Sequence, residues 1–285
     1  MSDDGRETLG LADDGGTVIV VHSAASDVGR VRQVNEDSYL ADSPVFLVAD
    51  GMGGHARGDA ASRAVVETFR RHLRAHEVPT PEQVLDAIHS SNEAVRALST
   101  DGDEGVAVAG TTLSGVALID AGTGPGLQWM AFNVGDSRIY AWDGRRLEQV
   151  SVDHSAVQEL VDAGLIAPDE AERHPERNVI TRALGAEEFV EPDVWIFPAA
   201  SRHAFVVCSD GLSKEVDDES IARILAAGGR ADELVAEALQ AGGRDNVTVV
   251  VVEAEVSAGD DDDGATRDRQ ERVPEETAPR DGGAR

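Results

Sequence analysis

The chain is expected to fold as α+β, with antiparallel sheets covered by layers of helices. Three observations predict this. The candidate elements run as strands, two helices, many strands, two helices and a last strand, which is not the β-α-β-α order of a parallel doubly wound sheet. Apolar residues make up 41% of the chain and aromatics only 4%, so a sizeable core has to be built mainly from Val, Leu, Ile and Ala. The length, 285 residues, suits one large domain or two small ones.

The elements follow in order. Residues 1–16 are polar and glycine-rich and read as a flexible N-terminal arm. "TVIVVHSAAS" (17–26) and "PVFLVAD" (44–50) have the apolar, β-branched character of strands. From Gly58, "DAASRAVVETFRRHLRAH" carries Ala61, Val65, Phe69 and Leu73 at helical spacing and predicts a long helix. A second helix follows, with Thr80 as N-cap, Pro81 at the first position and Gln83 as capping-box partner. Two consecutive helices imply an antiparallel pair. "GTTLSGVALID" (110–120), "GLQWMAFNV" (126–134), "RIYAWDG" (138–144) and "RLEQV" (146–150) read as one antiparallel meander with Gly and Asp at its turns. Residues 154–176 are charged and helical in pattern. Strands are expected at 193–197 and 203–208, helices near 217–227 and 231–241, and a buried strand over 246–256. From Ser257 almost nothing can join a core, so 257–285 reads as an acidic disordered tail.

A net charge of −29 argues against nucleic acid and anionic membrane as partners. One cysteine, Cys208, allows no disulfide framework and fits a reducing compartment. The N-terminus lacks the basic and apolar regions of a secretory signal, and no apolar run reaches the length of a membrane span. A soluble cytoplasmic protein, monomeric by default, is the expectation.

The chemistry is concentrated where strands stop. Asp50 ("FLVADGMGG"), Asp136 ("AFNVGDSR") and Asp210 ("FVVCSDGL") each follow an apolar run, and Asp245 ("GGRDNVTVVVV") precedes one. A single such aspartate is usually a turn former or helix cap. Four at converging strand ends repel one another, and burial raises their pKa values. A divalent cation resolves the conflict, and hard oxygen ligands suit Mg²⁺ or Mn²⁺. Upstream, "SDVGRVRQVNEDSYL" adds Glu36 and Asp37 with Arg32 close by. Alone, Arg32 would be an ordinary surface charge. Beside a metal cluster, its planar fork suggests a phosphate.

Eight blocks then resemble one family, the metal-dependent type 2C serine/threonine protein phosphatases in their compact bacterial form. They are "GRVRQVNED" (29–37), "DGMGGHARG" (50–58), "GTT" (110–112), "NVGDSRIY" (133–140), "VDH" (152–154), "NVITRALG" (178–185), "CSDGLS" (208–213) and "GGRDNVTVVVV" (242–252), in the family's order. The resemblance implies an αββα sandwich, with a phosphatase catalytic domain over 17–256 and a metal site between the sheets at one end. It implies that Asp50 bridges two Mn²⁺ or Mg²⁺ ions, Gly51 donates its carbonyl, Asp210 and Asp245 complete one shell, and Glu36 and Asp37 serve the other. Asp136 with Asp210 would hold a weaker third ion. Arg32 would grip the substrate phosphate, and Arg32, Asp37 and Asp50 would carry catalysis. A metal-bridging hydroxide would then attack phosphoserine or phosphothreonine in line, with no phosphoenzyme. Residues 155–176 match the family's flap, and Asp153 and His154 read as structural support near it. The implied partners are phosphorylated proteins and a Ser/Thr protein kinase with its substrates, the latter also suggested by an actinobacteria-like, lysine-poor composition.

One position departs from eukaryotic relatives. Met52 stands where they carry a histidine proposed as general acid; His55 is a weak substitute, and a metal-bound water is the other candidate. Other readings fare worse. "GMGGHA" fits a dinucleotide fingerprint, but Asp50 would repel the pyrophosphate. A cysteine phosphatase needs arginine six residues after Cys208, where Lys214 stands. A catalytically dead binding module would lack a core carboxylate, yet Asp37, Asp50, Asp210 and Asp245 are all present. A phosphatase acting on an anti-sigma-factor antagonist would differ only in substrate, and such enzymes often carry a sensor domain for which this length leaves no room. The remaining histidines, His22, His72, His76, His89, His174 and His203, show no ligand spacing.

Overall fold

A computed structural model describes residues 2–10, 17–53, 57–102, 105–107, 109–122, 126–171, 173–199 and 204–257. The first half contains β1 (Ser2–Gly10), β2 (Thr17–Asp27), β3 (Asp37–Asp42), β4 (Val45–Met52), α1 (Gly58–His72) and α2 (Pro81–Arg96). Short β5 (Thr100–Gly102), β6 (Gly105–Ala107) and β7 (Gly110–Thr111) lead to β8 (Leu113–Ile119), β9 (Gln128–Val134), β10 (Arg138–Trp142) and β11 (Leu147–Gln149). Then come α3 (Ala156–Asp162), α4 (Pro168–Ala171), β12 (Asp193–Pro198), β13 (Ala204–Cys208), α5 (Asp210–Ser213), α6 (Asp218–Ala226), α7 (Ala231–Ala241) and β14 (Val247–Ser257).

Two six-stranded antiparallel sheets result. One has the order β1-β2-β14-β13-β10-β11; the other runs β12-β9-β8-β4-β3, with β7 paired to β4. Strand periodicity explains why they stack. In β4, Phe46 and Val48 point into the space between the sheets, while Leu47 and Ala49 point toward helices α1 and α2. In β13, Phe205 and Val207 face the inter-sheet core, and Val206 and Cys208 face α5–α7. Both faces of these strands are covered, which is why their sequences are apolar throughout rather than alternating. Three cores thus separate four layers, helix–sheet–sheet–helix. Phe69 of α1 stacks on Phe132 of β9 with ring centroids 5.7 Å apart.

The start of α2 is as expected: the Gln83 N–H donates to Thr80 Oγ1, and the Thr80 N–H donates to Gln83 Oε1 at 2.9 Å. Helix α1 stops at His72, earlier than its sequence pattern, because Leu73 turns extended and His76 adopts a left-handed φ of 64°.

Three expectations need correction. Residues 2–10 are not a loose arm but an edge strand, in register with β2 from Ser2↔Ala25 to Gly10↔Thr17. Ladder hydrogen bonds use only backbone, so a polar segment can close an otherwise open sheet edge, and its charges suit that edge. Second, the meander over 110–150 is divided between the sheets: β8 pairs with β9 in one, while β10 pairs with β11 and β13 in the other. The crossing is at Gly135, whose φ of 111° favours glycine. Third, the strand expected over 110–120 breaks at Thr112, so that Gly110–Thr111 pair with Met52 and Gly51. The expected helical stretch over 154–176 is realised as α3, α4 and turns. His55, His203 and the tail beyond Ser257 lie outside the described residues.

Candidate metal centre

The register of the strands brings the acids together. Asp37 opens β3 directly opposite Asp50 in β4. In the other sheet Arg138 pairs with Cys208, so Asp136 and Asp210, two residues beyond them, leave the same end of the β10–β13 pair. Cys208 pairs with Val249, which puts Asp245, just ahead of β14, at that end too. The Ser209 hydroxyl donates to Asp37 Oδ2 at 2.8 Å and ties the two sheets together there.

The backbone around each acid is held tightly. Thr112 Oγ1 accepts from the Asp50 N–H at 3.0 Å, while the Asp50 carbonyl accepts from the Thr111 hydroxyl at 2.8 Å and the Thr112 N–H at 2.9 Å. The "GTT" block is thus a clamp on Asp50. The Thr112 and Ser137 hydroxyls share a 2.7 Å hydrogen bond, which links this clamp to the turn bearing Asp136. A Cβ on Gly51 would lie 2.1 Å from the Gly58 carbonyl oxygen and 2.6 Å from that of Glu36, so only glycine lets these segments close. A Cβ on Gly211 would meet the Asn246 carbonyl oxygen at 1.9 Å, so glycine there lets α5 sit against the approach to β14.

Asn246 was not singled out by sequence reasoning, although it stands next to Asp245. Buried, it donates to the Val28 and Val34 carbonyls at 2.9 and 3.0 Å and accepts from the Glu36 N–H at 2.9 Å. It pins the loop that carries Arg32, Glu36 and Asp37. Arg32 Nη2 donates to Asp245 Oδ2 at 2.9 Å, its side chain half exposed.

The electrostatics follow from burial. Desolvation first, then Asp37, Asp210, Asp136 and Asp245, pushes the Asp50 carboxyl well above its usual range. Burial pushes Asp37 up to about 7, with hydrogen bonds from Thr248 and Ser209 opposing and Asp210 and Asp245 adding. Burial and Asp210 push Asp136 up to about 7, with Lys214 opposing. Asp37 Oδ1, Asp136 Oδ1 and Asp210 Oδ1 are buried without a hydrogen-bond partner. Orphaned, mutually repelling carboxylate oxygens at converging strand ends fit divalent cations with hard oxygen ligands.

Lys214 is the second residue that sequence reasoning left unused. Its Nζ makes a short hydrogen bond to Asp210 Oδ2 and lies 3.9 Å from Asp136 Oδ2. Burial alone would lower its ammonium pKa; Asp210 and Asp136 outweigh that and raise it.

The surroundings agree with several other expectations. Arg138 grips Asp153 through Nε and Nη2 at 2.8–3.1 Å. His154 Nδ1 accepts from the Gly135 N–H at 3.0 Å, which leaves the proton on Nε2, 3.2 Å from Asp193 Oδ2. His154 braces the Gly135 crossing, and Asp153 fixes Arg138 at the start of β10. Cys208 is buried and its thiol is pushed up to about 12, so it is no nucleophile. Met52 lies against Gly110, whose added Cβ would be 3.2 Å from Met52 Cγ. His76, expected to be ordinary, has ligand atoms within 4.8 Å of those of Glu7 and Asp42.

Comparison with known proteins agrees with this architecture. Residues 29–246 match the family described as Protein phosphatase 2C. The serine/threonine protein phosphatase PstP of Mycobacterium tuberculosis is 38% identical over 242 residues, covering 83% of this chain; the chain spans 45% of that relative's length. The serine/threonine phosphatase stp of Listeria monocytogenes is 35% identical over 248 residues, 81% of this chain and 95% of that protein. The crystal structure of the catalytic domain of PstP in complex with two manganese ions superposes with a TM-score of 0.71 at 35% identity, covering 83% of this chain and 99% of that one. Fold, motif order and match all agree: the chain belongs to the protein phosphatase 2C family.

Proposed function

We propose that this chain is a metal-dependent serine/threonine protein phosphatase that hydrolyses phosphoserine and phosphothreonine on proteins. The observation that carries this reading is the set of buried carboxylates at converging strand ends, with unpartnered oxygens on Asp37 and Asp210. The manganese-bound relative supports Mn²⁺ or Mg²⁺ as the ions. Asp50 would bridge two of them; Asp210, Asp245 and the Gly51 carbonyl would complete one shell, and Glu36 and Asp37 the other. When bound, such a pair lowers the pKa of water and provides a nucleophile near neutral pH.

The chain's own residues do the rest. The Thr111–Thr112 clamp fixes the Asp50 backbone, so its carboxylate would be held ready for the ions without reorganising. Asn246 holds the Arg32–Asp37 loop in register with Asp245. Arg32, half exposed beside Asp245, presents a planar guanidinium that would bind two phosphate oxygens and offset their growing charge. Cys208 takes no part, which argues against a cysteinyl-phosphate intermediate.

Phosphorylated proteins and a Ser/Thr protein kinase are the proposed partners, and a cytoplasmic monomer the proposed form. Among the described residues no helix is long and apolar enough to cross a membrane. The test is hydrolysis of para-nitrophenyl phosphate and a phosphothreonine peptide, with EDTA, Mg²⁺ or Mn²⁺, by wild type and Asp245→Ala. Turnover that requires Mn²⁺ or Mg²⁺ and collapses in the variant is expected. No turnover by metal-loaded wild type would overturn the proposal.

A further inference from the structure

Lys214 is the only lysine among the chain's 25 Lys and Arg residues, and it lies on the two acids expected to hold a weaker third ion. The local fold puts it there. The Lys214 N–H donates to the Asp210 carbonyl at 2.9 Å across one turn of α5, so the side chains four residues apart share a face. Nζ contacts Asp210 Oδ2 and lies 3.9 Å from Asp136 Oδ2. The Oδ1 atoms of both acids stay without a partner, so Lys214 leaves Asp210 an oxygen for the core pair.

A third divalent ion does not fit this arrangement. It would need the same Oδ2 charge that the ammonium already neutralises, and a compact ammonium is a point charge that competes directly with a weakly held, hydrated cation. We propose that Lys214 is a built-in counter-ion occupying the place of the third ion, so that this chain binds two divalent ions and excludes a third. The inference rests on the metal-centre reading above.

The test counts ions. Metal-free wild type, Lys214→Met, Lys214→Met/Asp136→Asn and Asp245→Ala are titrated with Mn²⁺, and free Mn²⁺ is followed by electron paramagnetic resonance. Wild type should bind two ions up to millimolar Mn²⁺. Lys214→Met should bind a third at least about tenfold more tightly than wild type does, and Asp136→Asn should remove it again. Three ions on wild type, or only two on Lys214→Met, would overturn the proposal. Should Lys214→Met unfold, Lys214→Gln takes its place. A second measurement needs no variant. Lys214 is the only side-chain amine, so peptide mass mapping after acylation, which separates it from the terminal amine, reports its accessibility. Slow labelling unchanged by millimolar Mg²⁺ is expected, whereas labelling accelerated by Mg²⁺ would mean that an ion displaces the lysine and would overturn the proposal. Asp245→Ala separates the two levels. If it keeps both core ions, the metal-centre reading fails, whatever Lys214 does.

Discussion

The two sides of the carboxylate cluster are built differently. On the Asp136–Asp210 side the chain supplies its own cation, Lys214, and on Asp245 it supplies Arg32. On the Asp37–Asp50 side the close contacts among the described residues are hydroxyls and backbone: Ser209 to the Asp37 carboxylate, Thr111 and Thr112 to the Asp50 main chain, with Arg32 and Lys214 acting on Asp50 without a close ion pair. Hydroxyls can satisfy a carboxylate oxygen, but they cannot cancel its charge. The difference teaches where the proposed external cation has the most uncompensated charge to offset. Without one, Asp37 and Asp50 are forced toward the protonated form; on the other side Lys214 offsets the pressure on Asp136 only in part.

The sharpest way to break this comparison is Asp50→Asn. It should cut turnover by at least about 10²–10³-fold, because the affected charge stabilisation acts in a desolvated site. The metal-free protein should become more stable at the same time, since one repelling charge is gone. Phosphatase assays and metal-free melting curves check both halves, and a variant that loses stability along with activity would contradict the repulsion.

Next comes Arg32. Arg32→Lys keeps the charge but loses the fork, and about tenfold lower kcat/KM is expected for a phosphopeptide. Unchanged kinetics would leave Arg32 as nothing more than a partner for Asp245.

Asn246→Ala leaves the Val28 and Val34 carbonyls and the Glu36 N–H without their side-chain partner, so about 1–3 kcal/mol of stability should be lost, with weaker Mn²⁺ binding. Thr80→Ala is the control: it removes the α2 cap far from the acids, costs about 1 kcal/mol and should leave Mn²⁺ affinity untouched.

The pH dependence of the metal-free protein carries the smallest effect, and it falls on both sides alike. Asp37 and Asp136 have folded-state pKa values of about 7, above the roughly 3.9 of an unfolded aspartate. A raised carboxyl pKa means the unfolded state releases its proton first, so these groups cost nothing below about pH 4 and destabilise progressively up to about pH 7. Stability should therefore fall across that window and be restored by Mn²⁺. Asp37→Asn should flatten the fall, and an unchanged slope in denaturant melts would count against buried repulsion.

Much of this was legible in the sequence because it is local. The capping box of α2 needs only Thr80, Pro81 and Gln83. The strands β4, β13 and β14 declare themselves as apolar runs, and their acids as residues at strand ends. Motif order then implied the family and with it the sandwich. Other features had no local sign. β1 is polar because an edge strand needs only its backbone, so composition read as a loose arm. The division of the meander at Gly135 depends on which sheet offers each strand a partner. Asn246 looked like any residue after an aspartate, since its value lies in reaching Val28 and Val34 across more than 200 residues of chain.

By itself the sequence determined which residues carry charge at strand ends and which glycines allow close approach, because both are properties of a residue and its neighbours. Only the tertiary structure decided how those charges are shared: Arg32 on Asp245, Lys214 between Asp210 and Asp136, Asp37 and Asp50 in no close ion pair among the described residues. The physical reason is range. Propensity and capping act over a few residues, whereas electrostatic pairing depends on distance and burial, and these exist only once the two sheets have closed on each other.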